Sequence, residues 1–347
     1  MTAQSPYKPI PDETENKRID YLDGWRGLAI IFVLLGHFTL LDEVFFIGRF
    51  GVDVFFVLSG LLMSNILFVR RTALSLFYKR RISRIFPAFF LYVTIIYCID
   101  WIFIKSLEGD NYLFSLTFLR TYFPFGTDIW AAELPIDHLW SLNIEEHAYI
   151  FLSLLTLFLV NRNLISLILI FFSTLCVLNH YLYYKGYLPT PVNINARTEV
   201  AATPLLASAG YFLIAHKFKN HIRSWMPIAA FLLAASGYTV IKLHWTASWS
   251  LTPFLLAFCV NHIEEFPDKV KSFLTNKLLI KFGIFSYSIY LWQQPFYKFL
   301  EGLKFNSYIL SILGIVLCLT AILISLASFH FIENPSRKFL NKRWTSL

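Results

Sequence analysis

The sequence predicts an all-α fold: a polytopic membrane helical bundle of about ten transmembrane helices plus one short re-entrant or interfacial helix. Three observations carry that prediction. Of the 347 residues, 56% are hydrophobic and only 15% charged, far from the balance of a soluble domain. Apolar runs long enough to cross ~30 Å of hydrocarbon recur along the whole chain. The basic residues fall in alternate connections between those runs, as the positive-inside rule requires of cytoplasmic loops.

Taken in order, residues 1–20 are polar and proline-containing, lack the apolar core of a signal peptide and read as a disordered cytoplasmic tail. Residues 21–338 form the membrane domain, and 339–347 a second cytoplasmic tail too short for an appended soluble domain. Spans are expected near 25–41, 50–69, 85–105, 138–160, 163–183, 198–216, 224–243, 247–262, 278–300 and 307–331. The run 247–262 is short for a crossing and depends on its neighbours. The piece 112–123 is too short to cross and supplies the re-entrant or interfacial helix.

With the N-terminus in the cytoplasm, the inside connections carry Arg70 to Arg84, then Arg162, then Lys217, Lys219 and Arg223. Lys269, Lys271, Lys277 and Lys281 follow, and the end of the chain carries Arg337, Lys338, Lys342 and Arg343. The outside segment 106–137 holds Glu108, Asp110, Asp128, Glu133 and Asp137 against Arg120. Ten spans therefore leave both termini cytoplasmic. The formal charge of +8 is a topology signal rather than a nucleic-acid footprint, because it sits in these short connections. Cys98, Cys176, Cys259 and Cys318 are isolated within apolar runs and form no metal or redox motif.

Several ionisable residues fall inside the spans, where each is costly and a functional role is the default expectation. Arg26 and His37 are eleven residues apart. Eleven helical residues turn about 1100°, roughly 20° past three full turns, so both lie on one stripe about 16 Å apart along the axis. The plainer reading is an arginine that snorkels and a histidine that bonds a neighbouring helix. Asp53 enters the second span about one turn in, at a depth to meet His37, where a carboxylate would orient the imidazole. It could equally be a helix-start Asp held by the dipole.

Glu145 and Glu146 lie deep in the fourth span; at least one should line a polar interior, or the two could pair with an arginine such as Arg197 or Arg26. Their neighbour His147 is contiguous rather than at ligand spacing, so no metal is expected. The stretch RRTALSLFYKRRISRIFP reads as a cytoplasmic loop with six positive residues and no acid. Within it Arg80, Arg81 and Arg84 suit phosphate, from a nucleotide-like cofactor or from lipid headgroups. Asn195, Arg197 and Glu199 open the sixth span, Glu333 closes the last, and Gln293 and Gln294 sit mid-span in a polar–aromatic run.

Assembled in order, LDGWRGLAIIFVLLGH, GVDVFFVLSG, RRISRIFP, WSLNIEEHAYIF, ARTEVAATPLLASAG, SYSIYLWQQP and FIENP resemble the membrane acyltransferase-3 family over nearly all of residues 20–338. The resemblance implies an integral enzyme of the bacterial inner (plasma) membrane. It would move an acyl group, usually acetyl, from cytoplasmic acyl-CoA to a hydroxyl of an envelope polysaccharide, a related glycan or a lipid-linked sugar.

Carried over, His37 matches the family's catalytic histidine, Arg26 the arginine of the same signature, and Glu145 and Glu146 the acidic pair. Arg80, Arg81 and Arg84 match the basic segment, for which the resemblance favours CoA phosphates. In this scheme Asp53 or Glu145 orients His37, which acts as general base or transient acyl carrier. Three positions depart from the family pattern: Glu199 for a frequent Asp, Gln293 for a frequent His, and His147 for a common Gln. A transporter or flippase for an amphipathic solute is the competing class, since intramembrane His, Asp and Glu also build proton relays.

Overall fold

The computed structural model describes residues 20–104, 109–126, 128–130, 134–239, 249–304 and 307–345, and among these the fold is all-α. The expected tail 1–20 lies outside the described residues but for its last position.

The chain begins with α1 (Asp20–Phe38), α2 (Ile47–Ser64), α3 (Leu74–Ile99), the short α4 (Gly109–Leu116) and α5 (Trp140–Phe158). It continues through α6 (Arg162–Tyr184), the single turn α7 (Thr198–Ala201), α8 (Thr203–Ala215), α9 (Trp225–Ser236) and α10 (Thr252–Asn261). The last part comprises α11 (Asp268–Leu274), α12 (Lys277–Trp292), α13 (Gln294–Glu301), α14 (Ser307–Ser328) and α15 (Asn334–Thr345). One wide π turn extends each of α2, α3 and α14, over Asn65–Val69, Asp100–Ile104 and Phe329–Glu333.

Among the described residues four helices are long and apolar enough to cross a membrane: Ile47–Val69, Leu74–Phe103, Arg162–Tyr184 and Ser307–Trp344. Thr203–Ala215, Trp225–Ser236 and Thr252–Asn261 are shorter apolar helices that would rely on their neighbours. Several expected boundaries move. The first helix starts at Asp20 and ends at Phe38, because Thr39 caps the following 3₁₀ turn. The basic stretch is no loop from Leu74 onward: Arg80, Arg81 and Arg84 belong to the first turns of α3, which runs through Pro87. The span expected at 278–300 divides between Trp292 and Gln294, where Pro295 starts α13. The piece 112–123 is helical only as far as Leu116, and the residues after 338 stay helical to Thr345.

The centre of the bundle is α1 packed on α12 and α2, with α8 on the far side of α2. The α1–α12 crossing is as close as backbones allow. A Cβ on Gly27 would lie 2.0 Å from the Leu279 carbonyl oxygen, and one on Gly283 1.8 Å from that of Asp23. Small residues at such a crossing replace the hydrophobic drive that lipid does not provide. The core joins these helices through Trp25, Val33, Phe50, Val57, Leu205 and Ile289. This crossing brings the polar end of α12 against the end of α1 that carries His37.

Candidate active site

His37 lies in the last turn of α1 and opens into a cavity of about 1070 Å³. Its Nδ1 is 2.7 Å from Gln293 Oε1, and its ring stacks on Tyr297 with centroids 4.2 Å apart and planes 16° from parallel. Gln293 sits at the C-terminus of α12 and Tyr297 in the first turns of α13, so the break before Pro295 delivers both to one histidine. The Gln293 amide nitrogen donates to Gln294 Oε1 at 3.1 Å and to the Tyr290 carbonyl at 3.4 Å.

The remaining wall combines aromatic rings with charge. Arg49 lies between Trp140 and Trp249, its guanidinium carbon 4.7 and 4.6 Å from the ring centres. Its Nε is 3.2 Å from Asp53 Oδ1, and the Tyr238 hydroxyl donates to the other Asp53 oxygen. Elsewhere in the lining Lys298 Nζ bridges Asp137 at 2.7 Å and Glu301 at 3.1 Å. Asp137 lies in the 3₁₀ turn ahead of α5, outside the spans, and burial pushes its carboxyl up to about 6 despite that ammonium. Rings that stack on sugar faces and charged groups that bond hydroxyls make this a surface suited to a polyhydroxylated molecule.

A second, narrow cavity of about 120 Å³ is lined by Arg26, Arg84, Ser59 and Glu145. Val52 and Tyr290 border both cavities and so form the partition between them. Tyr290 is held rigidly: its hydroxyl donates to the His138 carbonyl at 2.8 Å and bonds Ser141 Oγ at 2.7 Å. Arg26 and His37 thus share one helix but open into different chambers.

The family model for the acyltransferase domain, acyltransferase-3, matches residues 19–330. The chain belongs to that family. It is 26% identical to the O-acetyltransferase OatA of Staphylococcus aureus over 351 residues, which cover 91% of this chain and 57% of the relative. A putative O-acetyltransferase of Staphylococcus aureus (strain COL) is 25% identical over 362 residues, covering 94% of this chain and 59% of that protein. The chain therefore spans somewhat more than half the length of the curated relatives it matches. No solved structure matches it.

Against this acyltransferase frame the expected site residues separate into groups. His37 and Asp53 share the large cavity; Arg26, Arg81, Arg84 and Glu145 share the small one. Asp53 and Glu145 do not orient His37. Asp53 is bound by Arg49, one turn earlier on the same helix, and by Tyr238. Glu145 accepts from Ser59 at 2.8 Å and pairs with Arg81, and Gln293 takes the place beside Nδ1.

Arg81 is likewise no open phosphate ligand. Its Nη2 lies 2.7 Å from Glu146 and 3.4 Å from Glu145, with the Tyr149 ring 3.7 Å beneath the guanidinium. Glu145 and Glu146 therefore form a half-buried ion cluster, with Arg81 rather than Arg197 or Arg26. Arg80 is exposed and lies outside both cavities.

Arg197 and Glu199 line neither chamber: Glu199 takes a 2.5 Å bond from the Tyr122 hydroxyl and sits 3.8 Å from Arg197, whose guanidinium covers the Tyr122 ring. They tie α7 to the turn after α4. Glu333, buried in its π turn, accepts from Ser288 at 2.7 Å and locks α14 to α12. Among the described residues no three His, Cys, Asp or Glu side chains converge as a metal site. Sequence reasoning missed Arg49, although its i, i+4 spacing to Asp53 was a readable signal. It also missed Tyr297 and Lys298, which had no local signal.

Proposed function

We propose that this protein transfers an acyl group, acetyl, from cytoplasmic acyl-CoA to a hydroxyl of an envelope polysaccharide or related glycan. The proposal includes ten spans in the bacterial inner membrane with both termini cytoplasmic, so that the Arg26 chamber faces the cytoplasmic side and the His37 chamber the outside. The observation that carries it is the pair of chambers on one helix, whose linings share Val52 and Tyr290 as a partition. A donor held on the cationic side and an acceptor held among aromatic rings would meet at that partition. The naming of the relatives as O-acetyltransferases supports acetyl as the group moved.

CoA phosphates would be met by Arg26 and Arg84, with Arg80 at the exposed start of α3; Arg81 would hold Glu145 and Glu146 in place instead. His37 Nε2 would remove the acceptor hydroxyl proton while that oxygen attacks the thioester carbonyl. The carbon–sulfur bond then breaks, and the departing CoA thiolate takes the proton from the imidazolium. Glycan or a lipid-linked sugar enters the large chamber, whose volume exceeds what one monosaccharide fills. The test is mass spectrometry of envelope glycans from cells with the protein, without it, and with His37→Ala. One added acetyl mass present only with the wild type supports the reading. A folded, membrane-inserted His37→Ala that acetylates at the wild-type rate refutes it.

A further inference from the structure

We infer that Gln293 is the positioning residue of this site: it dictates which nitrogen of His37 carries the proton and turns the other toward the large cavity as proton acceptor. This rests on the reading of His37 as the base for the acceptor hydroxyl. The assignment follows from donors and acceptors alone. Gln293 is fully buried, and one end of its amide meets the Tyr290 carbonyl at 3.4 Å and Gln294 Oε1 at 3.1 Å. A peptide carbonyl only accepts, so that end must be the NH₂. The oxygen then faces His37 Nδ1 at 2.7 Å, and Nδ1 must donate. A neutral imidazole has one N–H, which leaves the lone pair on Nε2.

The surroundings hold that arrangement. Tyr297 stacks on the ring, and beside it α1 and α2 meet at Gly36 and Gly48, where a Cβ on Gly36 would lie 2.6 Å from the Gly48 nitrogen. The charged groups facing His37 are Asp42 from the connection after α1 and Lys298 and Glu301 from α13. The His138 imidazole faces it from the start of α5. None of these bonds Nδ1. A neutral amide therefore does what a carboxylate does in many His-based sites, orienting the ring without adding charge.

The direct test is ¹⁵N-histidine NMR of the full-length protein, with His37 assigned by comparison with His37→Ala. The Nδ1-protonated tautomer is expected in the wild type and a mixture in Gln293→Leu. A wild-type His37 protonated at Nε2 overturns the inference whatever the activity. Kinetics use unsealed membranes and radiolabelled acetyl-CoA, with label counted in the endogenous glycan. Gln293→Leu should lower kcat at least about tenfold and leave the KM for acetyl-CoA within about twofold.

Gln293→Glu, nearly isosteric, should retain more activity than Gln293→Leu. It should also move the acid limb of the kcat profile up by about one pH unit or more, because a carboxylate now faces the ring. A Gln293→Leu enzyme with wild-type kcat, or a Gln293→Glu profile that does not move, overturns the assignment. Should Gln293→Leu not fold, the tautomer and the Gln293→Glu profile decide. An active His37→Ala would remove the functional reading but leave the tautomer result standing, so the two failures are distinguishable.

Discussion

Arg81→Met should destabilise the protein by about 3–5 kcal/mol, the cost of leaving buried charges without their partner. The geometry sets that size. Arg81 holds Glu146 at 2.7 Å and Glu145 at 3.4 Å, and the side chains are only 12% and 16% exposed, so solvent screens the orphaned carboxylates little. The guanidinium also covers the Tyr149 ring at 3.7 Å, a contact methionine only partly replaces.

The triple variant Arg81→Met, Glu145→Gln, Glu146→Gln leaves no orphaned charge and should return to within about 1–2 kcal/mol of the wild type. A thiol-reactive dye during heating in detergent reports unfolding, since Cys176 and Cys259 are buried in the folded protein. Acetyl-CoA affinity is measured on the same samples. As a strut, Arg81 can be lost from the triple variant with affinity held within about threefold. An Arg81→Met variant as stable as the wild type refutes the ion-pair argument. A triple variant that loses tenfold or more in affinity, about 1.4 kcal/mol, returns Arg81 to the phosphate site.

Two further predictions concern the partition and its rim. Tyr290→Ala removes the wall shared by the chambers and should admit water, so that acetyl-CoA is hydrolysed without acceptor. Release of free CoA thiol in acceptor-free protein should rise several-fold over wild type, and an unchanged rate would contradict the partition. For Asp137, burial raises the folded carboxyl to about 6, above its value in the unfolded chain. The folded state then binds the proton more tightly, so stability is gained as pH falls from 7 toward 4. Thermal melts at pH 7 and pH 5 should show the wild type gaining on Asp137→Asn at the lower pH; parallel changes in both would count against it.

Much of the architecture was legible because it is local. The apolar runs and the eleven-residue spacing of Arg26 and His37 depend on composition and helical pitch. The basic stretch misled because charge density was read as a loop. Among and just beyond those charges Phe77, Ile85 and Phe89 supply a buried apolar face, and α3 begins as soon as Ala73 leaves its extended conformation. The partner of His37 was not legible, since Gln293 lies 256 residues away and its glutamine reads from sequence as the loss of a histidine. Glu145 and Glu146 could be expected to meet an arginine, but which arginine depends on how α3 lies against α5.

Membrane character, the helical class and the stripe shared by Arg26 and His37 were therefore determined by sequence alone, since each follows from the order of residues along one helix or the hydropathy of one run. The assignment of partners was decided by the tertiary structure: Gln293 to His37, Arg81 to the acidic pair, Arg49 to Asp53. The physical reason is reach. A buried charge or ring nitrogen must be satisfied within about 3 Å. Only the packing of α12 on α1, and of α3 beside α5, brings the satisfying group that close.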